Sequence, residues 1–207
     1  MTADSIDRLA WAKGEGLLPA IIQHANDGRV LMLGYMNAAA LDKTRDSGLV
    51  TFFSRSKQRL WTKGETSGNV LKLVDLLADC DADTILVKAL PEGPTCHLGT
   101  STCFGDIPAS GAGFLSALEA VIRQRAEAGP TESYTARLLD SGVKRCAQKV
   151  GEEGLEVALA AMAGDREELA EEAADLLYHL LVCLKAGDVR LASVIDVLRR
   201  RHQTPSG

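Results

Sequence analysis

Apolar positions in residues 17–90 fall into short runs, LLPAIIQHA, RVLMLGYM, LVTFFSRS, NVLKLVDLL and TILVKAL, punctuated by turn signals such as Asn26-Asp27-Gly28 and Pro91-Glu92-Gly93. This pattern predicts a strand-dominated half. One helix interrupts it, with Asn37 placed to cap AAALDKTRDSG and Gly48 placed to stop it. From Phe114 the period lengthens, putting Leu115, Leu118, Val121 and Ile122 on one stripe and Ala173, Leu176, Leu177, Leu180, Leu181 and Leu184 on another. Gly142, Gly164 and Gly187 read as helix stops, and Asp165 followed by Glu168 resembles a capping box that restarts the chain after Gly164. Between the two textures, GDIPASGAG at 105–113 is small, Gly- and Pro-containing and without periodicity, as a linker is. The expected fold is two domains. A β-rich α+β domain fills residues 1–107, a linker 108–113, and an all-α helical bundle 114–207 with an antiparallel helix pair turning at Gly164.

Composition narrows the function classes. The 207 residues are 46% hydrophobic and 25% charged, so each half has material for a core. With a net charge of −5 and 23 Lys and Arg dispersed along the chain, no nucleic-acid groove is expected. The N-terminus MTADSIDRLAWAK lacks an apolar signal core, and no run of eighteen apolar residues exists, so a soluble, cytoplasmic protein without a membrane partner is expected. Five cysteines, an odd number, argue against a disulfide framework.

The chemistry concentrates between Asp79 and Phe104, where 26 residues hold three alternating aspartates and three cysteines. Asp79, Asp81 and Asp83 offer the hard oxygens that magnesium takes, and Cys80, Cys96 and Cys103 the soft thiolates that zinc takes. An EF-hand loop from Asp79 fails, because Thr84 and Leu90 stand where Gly and Glu are required. A structural zinc finger fails too, since the cysteines are spaced 16 and 7 apart with no fourth thiol nearby. Three ligands and a position for water is the pattern of a catalytic zinc. His97 is either a fourth ligand or an acid–base group. Were residues 79–83 extended, the aspartates would share one face and Cys80 the other, but Asp79 and Asp83 would stand about 13 Å apart. Either the segment bends or not all three bind one ion; the plain alternative is an acidic turn between strands.

In the helical half, Glu153 and Glu156 lie one turn apart, as do Glu172 and Asp175. Along the helices, Glu156 lies about 12 Å before the turn and Glu172 about 10 Å after it, while Glu153 and Asp175 are each about 15 Å away. Folded antiparallel, the two pairs come level, and four converging carboxylates call for cations, magnesium being the natural ones. Lys149, one turn before Glu153, is placed to reach a phosphate. Glu152, Glu167, Glu168 and Glu171 read as solvated surface, and Cys146 and Cys183 as small buried hydrophobes.

Longer motifs add a family resemblance. The first half resembles phosphoribosyl-AMP cyclohydrolase of histidine biosynthesis through MLGYMN at 32–37, SRS at 54–56, LWTKGETSGN at 60–69, DCDAD at 79–83 and CHLGTSTCF at 96–104. The second resembles phosphoribosyl-ATP pyrophosphohydrolase through KVGEEGLEV at 149–157 and EEAADLLYHLLV at 171–182. The order of the domains resembles that of the bifunctional enzyme carrying both steps.

The resemblance implies that the helical domain hydrolyses phosphoribosyl-ATP to phosphoribosyl-AMP and pyrophosphate, with Glu153, Glu156, Glu172 and Asp175 holding Mg2+. It implies zinc (Zn2+) on Cys80, Cys96 and Cys103 activating a water that attacks C6 of the N1-substituted adenine. Three thiolates acidify that water less than neutral imidazoles would, so a helper base is expected, with His97 the candidate. Mg2+ at Asp79, Asp81 and Asp83 would help hold substrate, while Arg55, Lys63 and the Thr66-Ser67-Gly68-Asn69 turn would supply donors to phosphate or ribose. Lys63-Gly64-Glu65 alone reads equally as a surface hairpin, and Trp61 as purine stacker or core aromatic. The family also implies a homodimer, Cys80 of one chain joining Cys96 and Cys103 of the other. Two rivals stand beside this reading: a zinc-stabilised interaction module with a helical dimerisation domain, and a helical half that hydrolyses non-standard nucleoside triphosphates.

Overall fold

The computed structural model describes residues 8–127 and 133–203; residues 1–7, part of the segment read for an export signal, lie outside it. The chain divides into two compact units, Met1–Gly113 and Phe114–Gly207. No helix among the described residues is long and apolar enough to cross a membrane.

The first unit is strand-rich. Strands β1 (Leu18–His24), β2 (Val30–Met36), β5 (Leu71–Ala78) and β6 (Ile85–Pro91) form a sheet in the order β2-β1-β6-β5, and β3 (Thr51–Ser54) pairs with β4 (Arg59–Thr62) in a second. β1 runs parallel to β6, and the other pairings are antiparallel. Alternation explains the burial: Leu18, Ala20 and Ile22 of β1 and Ile85, Val87 and Ala89 of β6 point into the core, each large side chain contributing about 1.5–3 kcal/mol. Helix α1 (Ala38–Ser47) closes the core with Ala40 and Leu41, beside Val50, Phe52 and Leu71. Its Asn37 cap accepts from the Ala40 N–H at 2.9 Å, and Gly48 ends it at φ 68°, as the sequence predicts. At Gly34 a Cβ would stand 2.4 Å from the Phe52 ring, so this strand position has no room for a side chain. Strand β4 was not legible as an element, because its pattern merges into the LWTKGETSGN motif.

The second unit is all helical: α2 (Gly113–Ala126), α3 (Tyr134–Asp140), α4 (Val143–Ala163), α5 (Arg166–Ala186) and α6 (Leu191–Gln203). Gly164 ends α4 in the left-handed region at φ 74°, and Asp165 caps α5 by accepting from the Glu167 and Glu168 N–H groups at 3.0 and 3.1 Å. The helix pair therefore turns at Gly164. Ile122, Leu138, Cys146, Leu181 and Val182 form the core, with Leu115, Leu118 and Cys183 packed against it. The predicted α5 stripe splits: Leu181 is buried, but Leu177 and Leu180 are exposed, as are Leu155, Leu159 and Met162 of α4.

Candidate active sites

Between β4 and β5 the chain folds back on itself, and this fold shapes one wall of a cavity of about 490 Å³. Gly64, at φ 86°, makes the fold possible: a Cβ there would stand 2.5 Å from the Asn69 backbone. Lys63 follows into the interior with 7% exposure, its ammonium donating to the Asn69 carbonyl at 2.9 Å, while its own N–H donates to Val50 O. The surface-hairpin reading of Lys63 is thus overturned, because the backbone turn draws the side chain inward. Burial pushes its ammonium below the usual lysine range, opposed by the nearby Cys103 and Cys96 sulfurs.

Trp61, Lys63, Thr66, Ser67, Asn69, Cys96, His97 and Cys103 all line this cavity. Trp61 stacks on Phe52 with centroids 5.7 Å apart and also lines the cavity. Cys96 is buried, and the Leu98 N–H and Thr100 hydroxyl hold its thiol below the usual range, whereas burial pushes Cys103 up. His97 Nδ1 lies 4.0 Å from Cys96 Sγ. The Thr95 hydroxyl, buried and lining the cavity, has no hydrogen-bond partner among the described residues. Cys103 is seated by its N–H on Leu31 O at 2.8 Å, and Arg29 clamps the following segment by donating to Ile107 O while also bonding the buried Asp27 carboxylate. Gly68 turns the chain at φ 77° but is not among the cavity residues. Arg55 departs from expectation: its guanidinium lies 3.9 Å above the Tyr35 ring and it does not line the cavity.

Asp79, Asp81 and Asp83 occupy the β5–β6 turn. An extended segment would separate them, but a hairpin connection must reverse, and Ala82 takes φ 61° to do so. Their carboxylates consequently converge within 4.8 Å of one another. Asp79 accepts from the Asp83 and Thr84 N–H groups at 3.0 and 3.1 Å, leaving the other two to Lys13, whose ammonium lies 2.6 Å from Asp81 and 3.4 Å from Asp83. Lys13 holds Asp81 below the usual carboxylate range. Cys80 is exposed on the same turn, and the three thiols do not gather within 4.8 Å among the described residues.

Across the α4–α5 pair, Glu153, Glu156 and Glu172 meet within 4.8 Å. Asp175 stands outside this trio and is exposed, although it lies one turn beyond Glu172 on the same face of α5. Glu153 is buried at 4% exposure, and Lys149 reaches its Oε1 at 2.6 Å and Glu152 at 3.0 Å. These carboxylates push Lys149 above the usual lysine range, and Lys149 in turn holds Glu153 low. Glu156 is exposed as a residue, yet protein atoms strip water from its carboxyl and Glu153 and Glu172 stand close, so it is pushed up. Glu152 is not simply solvated surface, since Arg145, Gln148 and Lys149 all contact it.

Comparison with known proteins decides what these clusters belong to. The family model described as Phosphoribosyl-AMP cyclohydrolase matches residues 32–105, and that described as Phosphoribosyl-ATP pyrophosphohydrolase matches 115–202. The chain is 61% identical over 203 residues to the Histidine biosynthesis bifunctional protein HisIE of Salmonella typhimurium, covering 98% of this chain and 100% of that one. It is 60% identical to the protein of the same name from Escherichia coli O157:H7 over the same lengths, and 55% identical to that of Xanthomonas axonopodis pv. citri over 98% of this chain and 97% of that one. The chain belongs to the HisIE family. It is a bifunctional hydrolase of histidine biosynthesis, with a strand-rich cyclohydrolase region and an all-helical pyrophosphohydrolase region.

Within the HisIE framework, the cavity and the aspartate turn lie in the cyclohydrolase region and the glutamate trio in the pyrophosphohydrolase region. Donor chemistry fits two kinds of ion. Cys96, held toward thiolate beside Cys103, offers soft sulfur; the two trios offer oxygen alone. Two residues escaped the sequence reading. Lys13 gives no local signal, since it meets Asp81 from 68 positions away. His179 stands inside the motif at 171–182 but was given no role, although its position four residues after Asp175 and seven after Glu172 places it on their face of α5.

Proposed function

We propose that the two HisIE activities run at two separate metal sites. In the pyrophosphohydrolase region Glu153, Glu156 and Glu172, with Asp175 beside them, hold Mg2+ against the triphosphate of phosphoribosyl-ATP. Water adds at phosphorus, and pyrophosphate leaves phosphoribosyl-AMP. Magnesium, when bound, supplies neutralisation of the charge that builds on the phosphate oxygens. Glu156, raised by lost hydration and two close carboxylates, is the group a cation relieves.

In the cyclohydrolase region Cys96 and Cys103 hold Zn2+ together with Cys80 from a second copy of the chain. Zinc, when bound, supplies a water acidified for attack. The water oxygen bonds to C6 of the N1-substituted adenine, the N1–C6 bond breaks, and the amino nitrogen stays as a carboxamide. His97 takes the proton that the water loses and returns it to N1. Ser67, Thr66 and Asn69 on the cavity wall bind ribose or phosphate, and Trp61 packs on the purine. Asp79, Asp81 and Asp83 take a second Mg2+, for which the Lys13 ammonium yields. A homodimer completes the zinc site, supported by exposed Val30, Leu33, Phe104 and Ile107 in the first unit and Leu155, Leu159 and Met162 in the second.

The observation that carries this reading is the separation of Cys80, on the β5–β6 turn, from Cys96 and Cys103, which face one cavity beside His97 and Lys63. Phosphoribosyl-ATP supplied with Mg2+ and Zn2+ should release pyrophosphate and then lose its adenine ring. Turnover of ordinary nucleoside triphosphates at equal rates would favour the rival reading of the helical half. Cys80→Ala and Cys96→Ala chains, unfolded and refolded together, should regain roughly a quarter of the ring-opening rate, since random pairing makes about half the dimers mixed with one intact site each. Confirmed heterodimers that stay inactive would show that each chain builds its own site.

A further inference from the structure

The structure assigns His179 as the positioning residue of Glu153, through a brace that begins on α3. This inference rests on the reading of the glutamate trio as a divalent-cation site. His179 is buried on α5 at 6% exposure, with Nε2 3.6 Å from Glu153 Oε1. Lys149 bonds the same oxygen, Oε1, at 2.6 Å. Both protein donors approach Oε1 of Glu153, so Oε2 is the oxygen assigned to the cation. A carboxylate whose one oxygen is held by the protein presents the other in a fixed direction, as groups behind metal ligands commonly arrange.

The imidazole is itself held. Tyr134 and Tyr178 meet its edge at 78° and 70°, with centroids 6.1 and 5.1 Å away. Tyr178 is fixed in turn by a 2.8 Å hydrogen bond between its hydroxyl and Thr135 Oγ1, on the first turn of α3. The brace thus runs Thr135 to Tyr178 to His179 to Glu153, joining three helices. Nδ1 is buried with no partner among the described residues. A proton there would be an orphaned donor, whereas a proton on Nε2 points at the carboxylate and leaves only an unfilled acceptor, the better tolerated of the two. The 3.6 Å gap is longer than a formed hydrogen bond, so the imidazole meets Oε1 as an oriented dipole at close range.

The test measures Mn2+ binding to the full-length protein by loss of the free-ion EPR signal, counting the binding that Glu172→Gln removes. Pyrophosphate release is titrated with Mg2+ in parallel, and helical ellipticity serves as the folding control. His179→Leu should weaken that Mn2+ binding by about tenfold and raise the half-saturating Mg2+ to match, and His179→Gln, which restores a donor at the Nε2 position, should recover all but about threefold. Tyr178→Phe, which frees the ring without emptying the site, should show a smaller shift of about two- to threefold in the same direction, and it remains informative if His179→Leu does not fold. Unchanged Mn2+ affinity in His179→Leu, or in Tyr178→Phe if the leucine variant does not fold, would overturn the assignment, as would equal loss in the leucine and glutamine variants. If Glu172→Gln removes no Mn2+ binding, the cation-site reading itself fails, a result distinct from either.

Discussion

Two trios of carboxylates in this chain present similar charge on opposite kinds of framework. Asp79, Asp81 and Asp83 sit on a hairpin turn, and their cation, Lys13, reaches in from outside the sheet with both side chains about half exposed, at 48% and 55% for Lys13 and Asp81. Glu153, Glu156 and Glu172 sit on a helix hairpin, and Glu153 is met from within by Lys149 one turn earlier and His179 across the pair, at 6% side-chain exposure. Water screens the first arrangement and barely reaches Glu153 in the second. An exposed ammonium can leave for an incoming ion at little cost, while one bonded to a buried carboxylate is part of how the site is built. The turn adapts and the helix pair is prearranged.

The sharpest way to break that contrast is to remove one carboxylate from each trio. Glu172→Gln is expected to slow pyrophosphate release by about 10³-fold, while ring opening of supplied phosphoribosyl-AMP stays within about twofold. Asp81→Asn should slow ring opening by about tenfold and leave pyrophosphate release alone. Assays of both reactions on both variants check this, and loss of both reactions from either change in a folded protein would end the two-site description.

A smaller effect separates the cations. Lys149→Met strands the buried Glu153 carboxylate and should cost the helical unit about 2 kcal/mol in chelator, much of it regained with saturating Mg2+. Lys13→Met should leave melting unchanged. Helical ellipticity follows the second unit, and tryptophan fluorescence the first, because Trp11 and Trp61 both lie there. Equal shifts in the two variants would show that burial does not distinguish the trios.

The least effect concerns acid. In the strand-rich unit burial lowers His24 below its ordinary value despite Asp27 nearby, so the unfolded chain takes up the proton first. Stability from this group is full above about pH 6.5 and is lost as the pH falls toward the lowered folded value. His24→Asn, which keeps an acceptor for the Asp27 N–H, should flatten the tryptophan-monitored melting midpoint between pH 7 and 5. A midpoint that falls as steeply in the variant would place the acid sensitivity elsewhere.

Much of the fold was legible because its signals are local. Asn37 caps α1 and Gly48 ends it, Asp165 caps α5, and the five apolar runs became strands β1, β2, β3, β5 and β6. Similar helical distances from Gly164 also foretold the meeting of Glu156 with Glu172, since rise per residue is a constant of the helix. Matched spacing did not foretell which carboxylates converge, and Asp175 falls outside the trio. Arg55 was expected beside the substrate and lies over Tyr35, because the approach of β2 to the β3–β4 turn is a tertiary fact.

The sequence by itself determined the two textures, the caps and stops, the family and the residue types available for chemistry, all of which follow from periodicity and from motifs long enough to be specific. Tertiary structure alone decided which of those residues meet. It folded Asp79–Asp83 into a converging turn, drew Lys63 inward, brought Lys13 to Asp81 across 68 positions, set Cys80 apart from Cys96 and Cys103, and seated His179 behind Glu153. Each of these contacts depends on chain reversals and helix rotations that no local pattern encodes, since a side chain's partner across space is set by the packing of whole elements.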